Sequence, residues 1–286
     1  MIKNAKNLRF SYRSRQWMKL VQYSLARFQA KIDSTFGIFS KGFRNKVIVN
    51  SIPKAGTNLA VNLIQHSLSY PWFSSYHLDH KYEHFWKQVK SQSAGQIVSL
   101  HSYYSDDLVN YLEANDETRM VFIIRDLRDI VISNYHYIAK SDPSHRMHDY
   151  LNRFGTEKEK IIALITEIES GLLGNLGRSP SIGEHAARYY EWLLCENVHT
   201  VKFEELIDSA TQVKAVQGML EYCGIPYTDA SLSALCNQVI GKKSRTLRSG
   251  SFGQWQKYFD EDITEVFKET AGEWLIKYGY EENMDW

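Results

Sequence analysis

Residues 46–64 read KVIVNSIPKAGTNLAVNLI, and this stretch decides the fold of the chain. Its first part is a β-branched run, which predicts a buried strand that Pro53 ends. Gly56 allows a tight turn, and the apolar spacing from Leu59 onward predicts a helix with Thr57 or Asn58 as its N-cap. A strand, a glycine turn and a helix start present free backbone N–H groups, so the stretch predicts an anion site to which Lys54 adds positive charge.

The same turn is also compatible with an ordinary strand-to-helix connection that contains a lysine. It lacks the GxxxxGK[ST] spacing of the standard P-loop, so it does not by itself predict the binding of a nucleoside triphosphate. Further motifs along the chain have to decide between the two interpretations.

Length and composition indicate a globular protein with one large α/β domain or two small ones. The chain has 286 residues, of which 43% are hydrophobic and 23% charged. A net charge of only +1 argues against a globally basic nucleic-acid binder. No apolar run is long enough to span a bilayer, and the first residues lack a signal-peptide pattern. Three cysteines without metal-type spacing favour a reduced, cytoplasmic setting, with core packing as their role.

Residues 1–45 form a basic amphipathic N-terminal arm with ten Lys or Arg against one Asp. Its apolar residues recur at helical spacing and form one stripe, which consists of Trp17, Val21, Leu25, Phe28 and Ile32. We expect this helix to dock on the domain through the stripe. A peripheral membrane contact through the basic helix is the alternative.

Strands and helices alternate along residues 46–286, which predicts a parallel, doubly wound sheet. Further strands are expected at residues 96–101, 119–125 and 198–203. Residues 70–86 are rich in aromatics and histidines, but His77, His80 and His84 lack a further metal ligand, so we expect a substrate-side loop or a surface helix. Residues 141–182 combine charged helical sequence with several glycines, and we expect a mobile lid insertion there.

Candidate functional side chains follow the predicted strands. His101 ends one strand, on the side where ligands of open α/β sheets gather. Arg125 ends the next strand, and Ser133 lies two helical turns further on, which makes a second anion-binding pair. The basic, glycine-rich segment 245–253 is a third candidate anion site.

Three of these blocks together resemble the sulfotransferases that use 3′-phosphoadenosine-5′-phosphosulfate (PAPS), of the cytosolic and bacterial type. Residues 53–59, PKAGTNL, stand where that family has a Pro-Lys-Ser-Gly-Thr-Thr-Trp loop for the 5′-phosphosulfate. The family's 3′-phosphate block corresponds to Arg125, Asp129, Ser133 and Tyr135. Its third block, Arg-Lys-Gly, Gly-x-Trp and an aromatic-Phe pair, corresponds to residues 248–250, 253–255 and 258–259. The resemblance covers about residues 45–280 and leaves out the arm.

The resemblance implies a P-loop-like three-layer α/β fold, with a central parallel sheet flanked by helices, and sulfuryl transfer from PAPS, which leaves as PAP. It implies His101 as general base, Lys54 as the group that stabilises the leaving phosphate, and no metal. The residues implied in donor binding are Lys54, Ala55, Gly56, Thr57, Asn58, Leu59, Arg125, Ser133, Phe203, Arg248, Ser249 and Gly250. The acceptor would be a hydroxyl or amine of a small molecule or saccharide; the oligomeric state stays open.

Four departures from the family pattern affect donor affinity more than donor identity. Leu59 replaces a stacking Trp, Ser99 replaces a Lys near the sulfuryl group, Phe203 replaces a Tyr and Ser249 replaces a Lys. Two rivals therefore stay open at this stage. One is a small-molecule kinase, which would need Mg²⁺ and ATP, and the other is a nucleotide-binding protein with weakened activity.

Overall fold

The computed structural model describes residues 43–70, 74–78, 85–173, 177–241 and 251–286, with ten helical positions between Trp17 and Ile32. Five parallel strands form one sheet in the order β2-β3-β1-β4-β5. The strands are β1 Lys46–Ser51, β2 Ser75–Leu78, β3 Ile97–Leu100, β4 Thr118–Ile124 and β5 Val198–Lys202. The prediction of an α/β fold with a central parallel sheet is confirmed.

Helices cover both faces of the sheet. The α-helices of the continuous described ranges are α1 Thr57–Ser67, α2 Phe85–Lys90, α3 Asp106–Glu113, α4 Leu127–Tyr135, α5 His148–Leu151, α6 Glu157–Ile165, α7 Ile182–Tyr190, α8 Phe203–Ile207, α9 Gln212–Cys223, α10 Asp229–Gly241, α11 Glu261–Phe267 and α12 Glu273–Lys277. Wider π-helical turns span His136–Ser141 and Lys268–Gly272, and 3₁₀ turns span Glu191–Leu194 and Gln254–Lys257.

Alternate residues of the central strands point into two separate cores, as the two-residue period of a strand requires. On β1, Ile48 belongs to one core, whereas Val47 and Val49 belong to the other. These side chains are fully buried. Strand β1 is therefore apolar on both faces, which is typical of the middle of a parallel sheet.

The strand order creates a crevice between the carboxyl ends of β1 and β4. These two strands are neighbours, but the chain leaves β1 toward β2 on one side and leaves β4 toward β5 on the other. Ligands of doubly wound sheets bind at such a switch point. The loops that follow β1 and β4 are those that carry Lys54 and Arg125.

Strand β2 corrects one expectation from the sequence. The segment around His77 was expected to be a loop or surface helix, but Ser75–Leu78 pairs with β3 as the edge strand of the sheet. Tyr76 and Leu78 are buried in the core beneath it. His80 and His84 lie outside the described residues.

The N-terminal helical segment docks on the domain through a face other than the predicted one. Trp17 and Phe28 of the apolar stripe are 66% and 65% exposed, whereas Ala26 is 1% and Gln29 6% exposed. The Gln22 amide donates to the backbone oxygen of Ser75 on β2 at 2.8 Å. The prediction of docking through the apolar stripe is therefore wrong, because small and polar residues make the contact.

Residues 141–173 and 177–182, the described part of the expected lid, contain helices α5 and α6. Together with the preceding π-helical turn they form a small apolar cluster of their own. It consists of Ile138, Met147, Leu151, Ala163, Ile168 and Leu173. That the segment acts as a mobile lid stays a prediction.

Two further properties concern the whole described chain. Within the described ranges, no helix is both long and apolar enough to cross a membrane. Cys223 and Cys236 are buried, as core packing requires, whereas Cys195 is only half-buried.

Candidate active site

The turn after β1 combines two residues in the left-handed region of backbone conformation. Lys54 has φ 75° and Gly56 has φ 113°. For Lys54 this conformation costs about 1–2 kcal/mol, a strain that is common at ligand sites. The Ala55 N–H donates to the oxygen of Ile52 at 3.0 Å and closes the turn.

Helix α1 begins at Thr57, and its N-cap is Gly56, with no side-chain capping bond. The prediction that Thr57 or Asn58 caps this helix is wrong, because the Thr57 hydroxyl pairs with the hydroxyl of Ser51 at 2.5 Å. Among the described residues, no acceptor takes the backbone N–H groups of Gly56, Thr57 or Asn58. The positive end of the helix can therefore bind an anion.

Gly56 lies against an aromatic ring from another element. A Cβ built on Gly56 would come within 2.5 Å of Cδ2 of Phe203, the first residue of α8. The Phe203 ring is buried, and its centroid lies 4.3 Å from the Arg125 guanidinium carbon. Phe203 therefore connects the turn after β1 with the arginine after β4.

Arg125 projects into the crevice between β1 and β4. Its Nη1 donates to the backbone oxygen of Lys54 at 3.2 Å, and its Nη2 lies 3.5 Å from the Asp129 carboxylate. Its Nε is buried and has no hydrogen-bond partner among the described residues. A buried, unsatisfied guanidinium N–H is costly, and an anionic ligand would satisfy it.

Asp129 on α4 binds the backbone where the basic, glycine-rich segment 245–253 ends, and so holds the chain there beside Arg125. Its carboxylate accepts the N–H groups of Gly253 at 2.9 Å and Trp255 at 3.0 Å. Asp129 is 1% exposed. The chain just after the basic loop is therefore fixed beside Arg125. The predicted donor-binding residues Arg248, Ser249 and Gly250 lie outside the described residues.

The other predicted donor residues occupy different environments. Asn58 is exposed and Ser133 is half-buried on α4, two turns beyond Arg125. Ala55 and Leu59 are buried, and Leu59 packs in a sheet core with Val47 and Val49. The Leu59 side chain therefore supports helix α1 from inside.

The Lys54 ammonium lies in a positively charged environment. Burial, and secondarily the nearby Arg125 guanidinium, lower the pKa of Lys54 from 10.5 to about 8. Its Nζ lies 4.0 Å from the centroid of the Tyr137 ring, and no carboxylate of the described residues pairs with it. An anion bound in the crevice would offset both effects.

His101 comes directly after β3, next to β1 in the sheet. Its Nδ1 lies 2.9 Å from the backbone oxygen of Ser51. A carbonyl can only accept, so Nδ1 carries the proton, and in the neutral ring the lone pair is on Nε2. The imidazole is held in the tautomer that a general base needs.

Asn50, which the sequence analysis did not single out, fixes the chain beyond His101. Its side-chain amide exchanges two hydrogen bonds with the backbone of Ser102, both at 2.9 Å. Trp192 donates to the same Ser102 oxygen at 3.1 Å. A polar residue inside an apolar strand was the available signal, because a buried amide needs partners.

Glu204, next to Phe203, supports the beginning of α4. Its carboxylate accepts the N–H of Asp126 at 3.1 Å and the hydroxyl of Tyr280 at 2.8 Å. Burial raises the pKa of Glu204. The residue therefore helps to position the helix that carries Asp129 and Ser133.

Aromatic and imidazole side chains extend from the site beyond Lys54 and His101. The Tyr103 hydroxyl pairs with Nδ1 of His185 at 3.0 Å, and the Tyr137 hydroxyl donates to Asp142 at 2.9 Å. Burial lowers the pKa of His145 and of His185 to about 4, so both imidazoles are neutral at pH 7. The Arg188 guanidinium carbon lies 5.0 Å from the centroid of the Tyr103 ring, so this side of the site combines aromatic rings, neutral imidazoles and positive charge.

Metal ligation finds no support in the described ranges, where no group of three His, Cys, Asp or Glu side chains could hold a metal ion. His77, one of the three histidines considered for that role, bonds through Nδ1 to the Ser99 hydroxyl at 3.1 Å. Its ring centroid lies 4.9 Å from that of His101.

Comparisons with known proteins give one family. A family model described as a sulfotransferase domain matches residues 44–279. A search of curated proteins returned no match.

Solved structures share the fold at low sequence identity. Mouse sulfotransferase SULT7A1 complexed with PAP gives a TM-score of 0.58 at 16% identity, over 83% of this chain and 89% of that one. Retinol dehydratase in a complex with retinol and PAP gives 0.55 at 15% identity, over 86% of each chain. Retinol dehydratase with androsterone and inactive cofactor PAP gives 0.54 at 13% identity, over 84% of this chain and 83% of that one. Matches at these identities establish the fold.

Proposed function

The chain belongs to the sulfotransferase domain family, and we propose that it transfers the sulfuryl group of PAPS to a hydroxyl or amine of a small-molecule or saccharide acceptor. One observation carries the proposal. Arg125 donates to the backbone oxygen of Lys54 in the turn after β1, and its buried Nε has no hydrogen-bond partner among the described residues. An anion in the crevice would satisfy this group, which supports a 3′,5′-bisphosphate nucleotide as the ligand.

Each phosphate of the donor would have its own group of ligands. The N–H groups of Gly56, Thr57 and Asn58, together with Lys54, would hold the 5′-phosphosulfate. Arg125 and Ser133 would hold the 3′-phosphate, and Arg248, Ser249 and Gly250 would complete that side. Ala55 and Leu59 would contribute through the backbone of the turn, and Phe203 by keeping Arg125 in place.

The chemistry asks the protein for alignment and charge stabilisation. A bond forms between the acceptor oxygen or nitrogen and sulfur, while the bond between sulfur and the 5′-phosphate oxygen breaks. The acceptor's proton passes to Nε2 of His101, whose Nδ1–H is fixed on Ser51. Lys54 neutralises the charge that develops on the departing phosphate, so PAP leaves as the second product.

The acceptor space would lie on the side of Tyr103 and Tyr137, beyond the two catalytic groups. Its aromatic rings and neutral imidazoles would suit an acceptor with apolar and hydroxyl groups, and the Arg188 guanidinium, 5.0 Å from the centroid of the Tyr103 ring, adds positive charge on that side. Two of the solved neighbours, both retinol dehydratase, were crystallised with androsterone or retinol, which supports a small alcohol as the first class to test.

Binding of the 3′-phosphate is the sharpest test of the donor. Adenosine 3′,5′-bisphosphate should bind more tightly than AMP, and Arg125→Ala should remove most of that difference. A charge-assisted hydrogen bond is worth about 1.5–3 kcal/mol, so calorimetry should show a loss of about 10- to 150-fold. Arg119→Ala, on the same strand but with its side chain bound to the Asp116 backbone, is the matched control.

Product formation tests the reaction itself. The protein is incubated with PAPS and pooled alcohols, amines and saccharides, and sulfated product is followed by mass. Equal affinity of the unmutated protein for the bisphosphate and AMP would contradict the donor assignment. Turnover with ATP and Mg²⁺ in place of PAPS would contradict the reaction.

A further inference from the structure

The N-terminal helical segment exposes its apolar residues although it is docked on the domain. Trp17, Met18, Leu25 and Phe28 are all exposed. The positions that face the domain are Gln22, Ala26 and Gln29, with Gln22 bonded to β2. The segment therefore carries an aromatic and aliphatic stripe that the described domain leaves uncovered.

The position of the stripe on the helix explains this exposure. At 100° per residue, Trp17 and Phe28 lie within about 20° of one another, and Ala26 lies nearly opposite both. Docking through Ala26 thus turns the two large aromatic side chains away from the sheet. Val21 and Ile32 lie between Phe28 and Leu25 on the same face and are half-buried, so the exposure is greatest at Trp17 and Phe28.

The positive charge of the N-terminal arm indicates what kind of surface the stripe contacts. Residues 1–45 contain ten Lys or Arg and one Asp, a net charge of +9. Two copies of the chain that met through their stripes would bring these two positive segments together, which like-charge repulsion disfavours. An anionic bilayer offers apolar depth and negative charge at the same surface, which suits Trp and Phe anchors beside basic residues.

We propose that the stripe of Trp17, Leu25 and Phe28 inserts into the interface of an anionic lipid bilayer and holds the enzyme at the membrane surface. The helix would lie in the plane of the interface, and Ala26 and Gln29 would keep the domain attached beneath it. The proposal does not depend on the donor or the reaction.

Vesicle flotation of the full chain tests the proposal. The protein should float with phosphatidylcholine vesicles that contain about 30% phosphatidylserine, and much less with phosphatidylcholine alone. Raising the salt from about 0.05 M to about 0.5 M should weaken this binding, because it screens the basic residues. No flotation at low salt, or equal flotation with both kinds of vesicle, would overturn the proposal.

Two pairs of substitutions distinguish binding through the stripe from nonspecific binding through other exposed apolar residues. Trp17→Ala combined with Phe28→Ala should lower vesicle affinity at least about tenfold, because each aromatic anchor removes large apolar area from water. Leu172→Ala combined with Leu194→Ala removes two exposed leucines elsewhere and should leave flotation unchanged. Thermal unfolding, measured on both pairs, reports that the domain is intact.

Sedimentation of the protein without lipid tests the competing occupant, a second copy of the chain. The chain should show no self-association that depends on Trp17 and Phe28. A dimer that dissociates in the Trp17→Ala/Phe28→Ala variant would assign the stripe to a protein interface and overturn the membrane proposal.

Discussion

Replacement of Gly56 by alanine should lower both the stability of the protein and its affinity at the proposed donor site, and the structure gives a separate reason for each effect. Gly56 has φ 113°, and its Cα faces the Phe203 ring so closely that a Cβ would lie 2.5 Å from Cδ2. Gly171 has φ 98° and nothing within 4 Å of the corresponding position. Gly171→Ala therefore reports the backbone strain alone, and Gly56→Ala reports the strain together with the collision.

The two contributions can be estimated from general values. A side chain in the left-handed region costs about 1–2 kcal/mol, which is the expectation for Gly171→Ala. Forcing a buried ring aside costs a further 1–3 kcal/mol, roughly, so Gly56→Ala should lose about 2–5 kcal/mol. For a chain of this size each kcal/mol lowers Tm by about 2 °C.

Displacement of Phe203 should also shift the side chain of Arg125, because the ring and the guanidinium are in contact. Loss of a desolvated cation–π contact predicts PAP binding about 3- to 30-fold weaker in Gly56→Ala and unchanged in Gly171→Ala. Thermal unfolding and calorimetry on the two variants measure both effects. If the free energy of unfolding falls by the same amount in both variants, the contact between the new Cβ and Phe203 contributes nothing and the reasoning is refuted.

A double variant gives a second check. Phe203→Leu shortens the side chain that Gly56→Ala would meet, so the two changes together should cost less than their sum. Strict additivity would show that the two positions do not interact.

Two predictions concern the proposed catalytic groups. PAP affinity should fall as the pH rises through about 8, because the ammonium of Lys54 loses its proton there. PAP binding near that pH should therefore be accompanied by the uptake of a proton. The Lys54→Met variant should show no such uptake. Calorimetry in buffers of different ionisation enthalpy measures the uptake, and a flat affinity from about pH 7 to 9 would contradict the pKa. His101→Ala should lower turnover on a hydroxyl acceptor about 10²- to 10⁴-fold with PAP affinity unchanged. His136→Ala is the control, because Nε2 of His136 already pairs with the Tyr258 hydroxyl at 2.8 Å. A larger loss of turnover in His136→Ala than in His101→Ala would indicate that His136 is the general base.

The sequence predicted the elements that depend on local pattern. Strands β1 and β4 are β-branched and apolar, so their burial and the position of Arg125 at a strand end could be inferred. The glycine turn and the helix after it were likewise readable, because Gly56 and the apolar spacing from Leu59 are local signals.

The sequence could not predict features that depend on partners far along the chain. Strand β2 is four residues long and is a strand because it pairs with β3, so its own residues give little signal. Periodicity showed that Trp17 and Phe28 share a face, but it could not show which face meets the domain. The pairing of Ser51 with Thr57, which removes Thr57 from its capping role, likewise depends on the close approach of two side chains.

The separate cluster of Ile138, Met147 and Leu151 has a consequence for how such an enzyme can diversify. The proposed donor-binding residues follow central strands whose side chains share two continuous cores, so a substitution there disturbs several neighbours at once. The segment beside Tyr137 and His145 has an additional apolar cluster of its own, although Ile161 and Ile165 of its helix α6 also pack in a sheet core. If this segment lines the acceptor side as proposed, substitutions within its own cluster should change acceptor choice with little effect on the donor side.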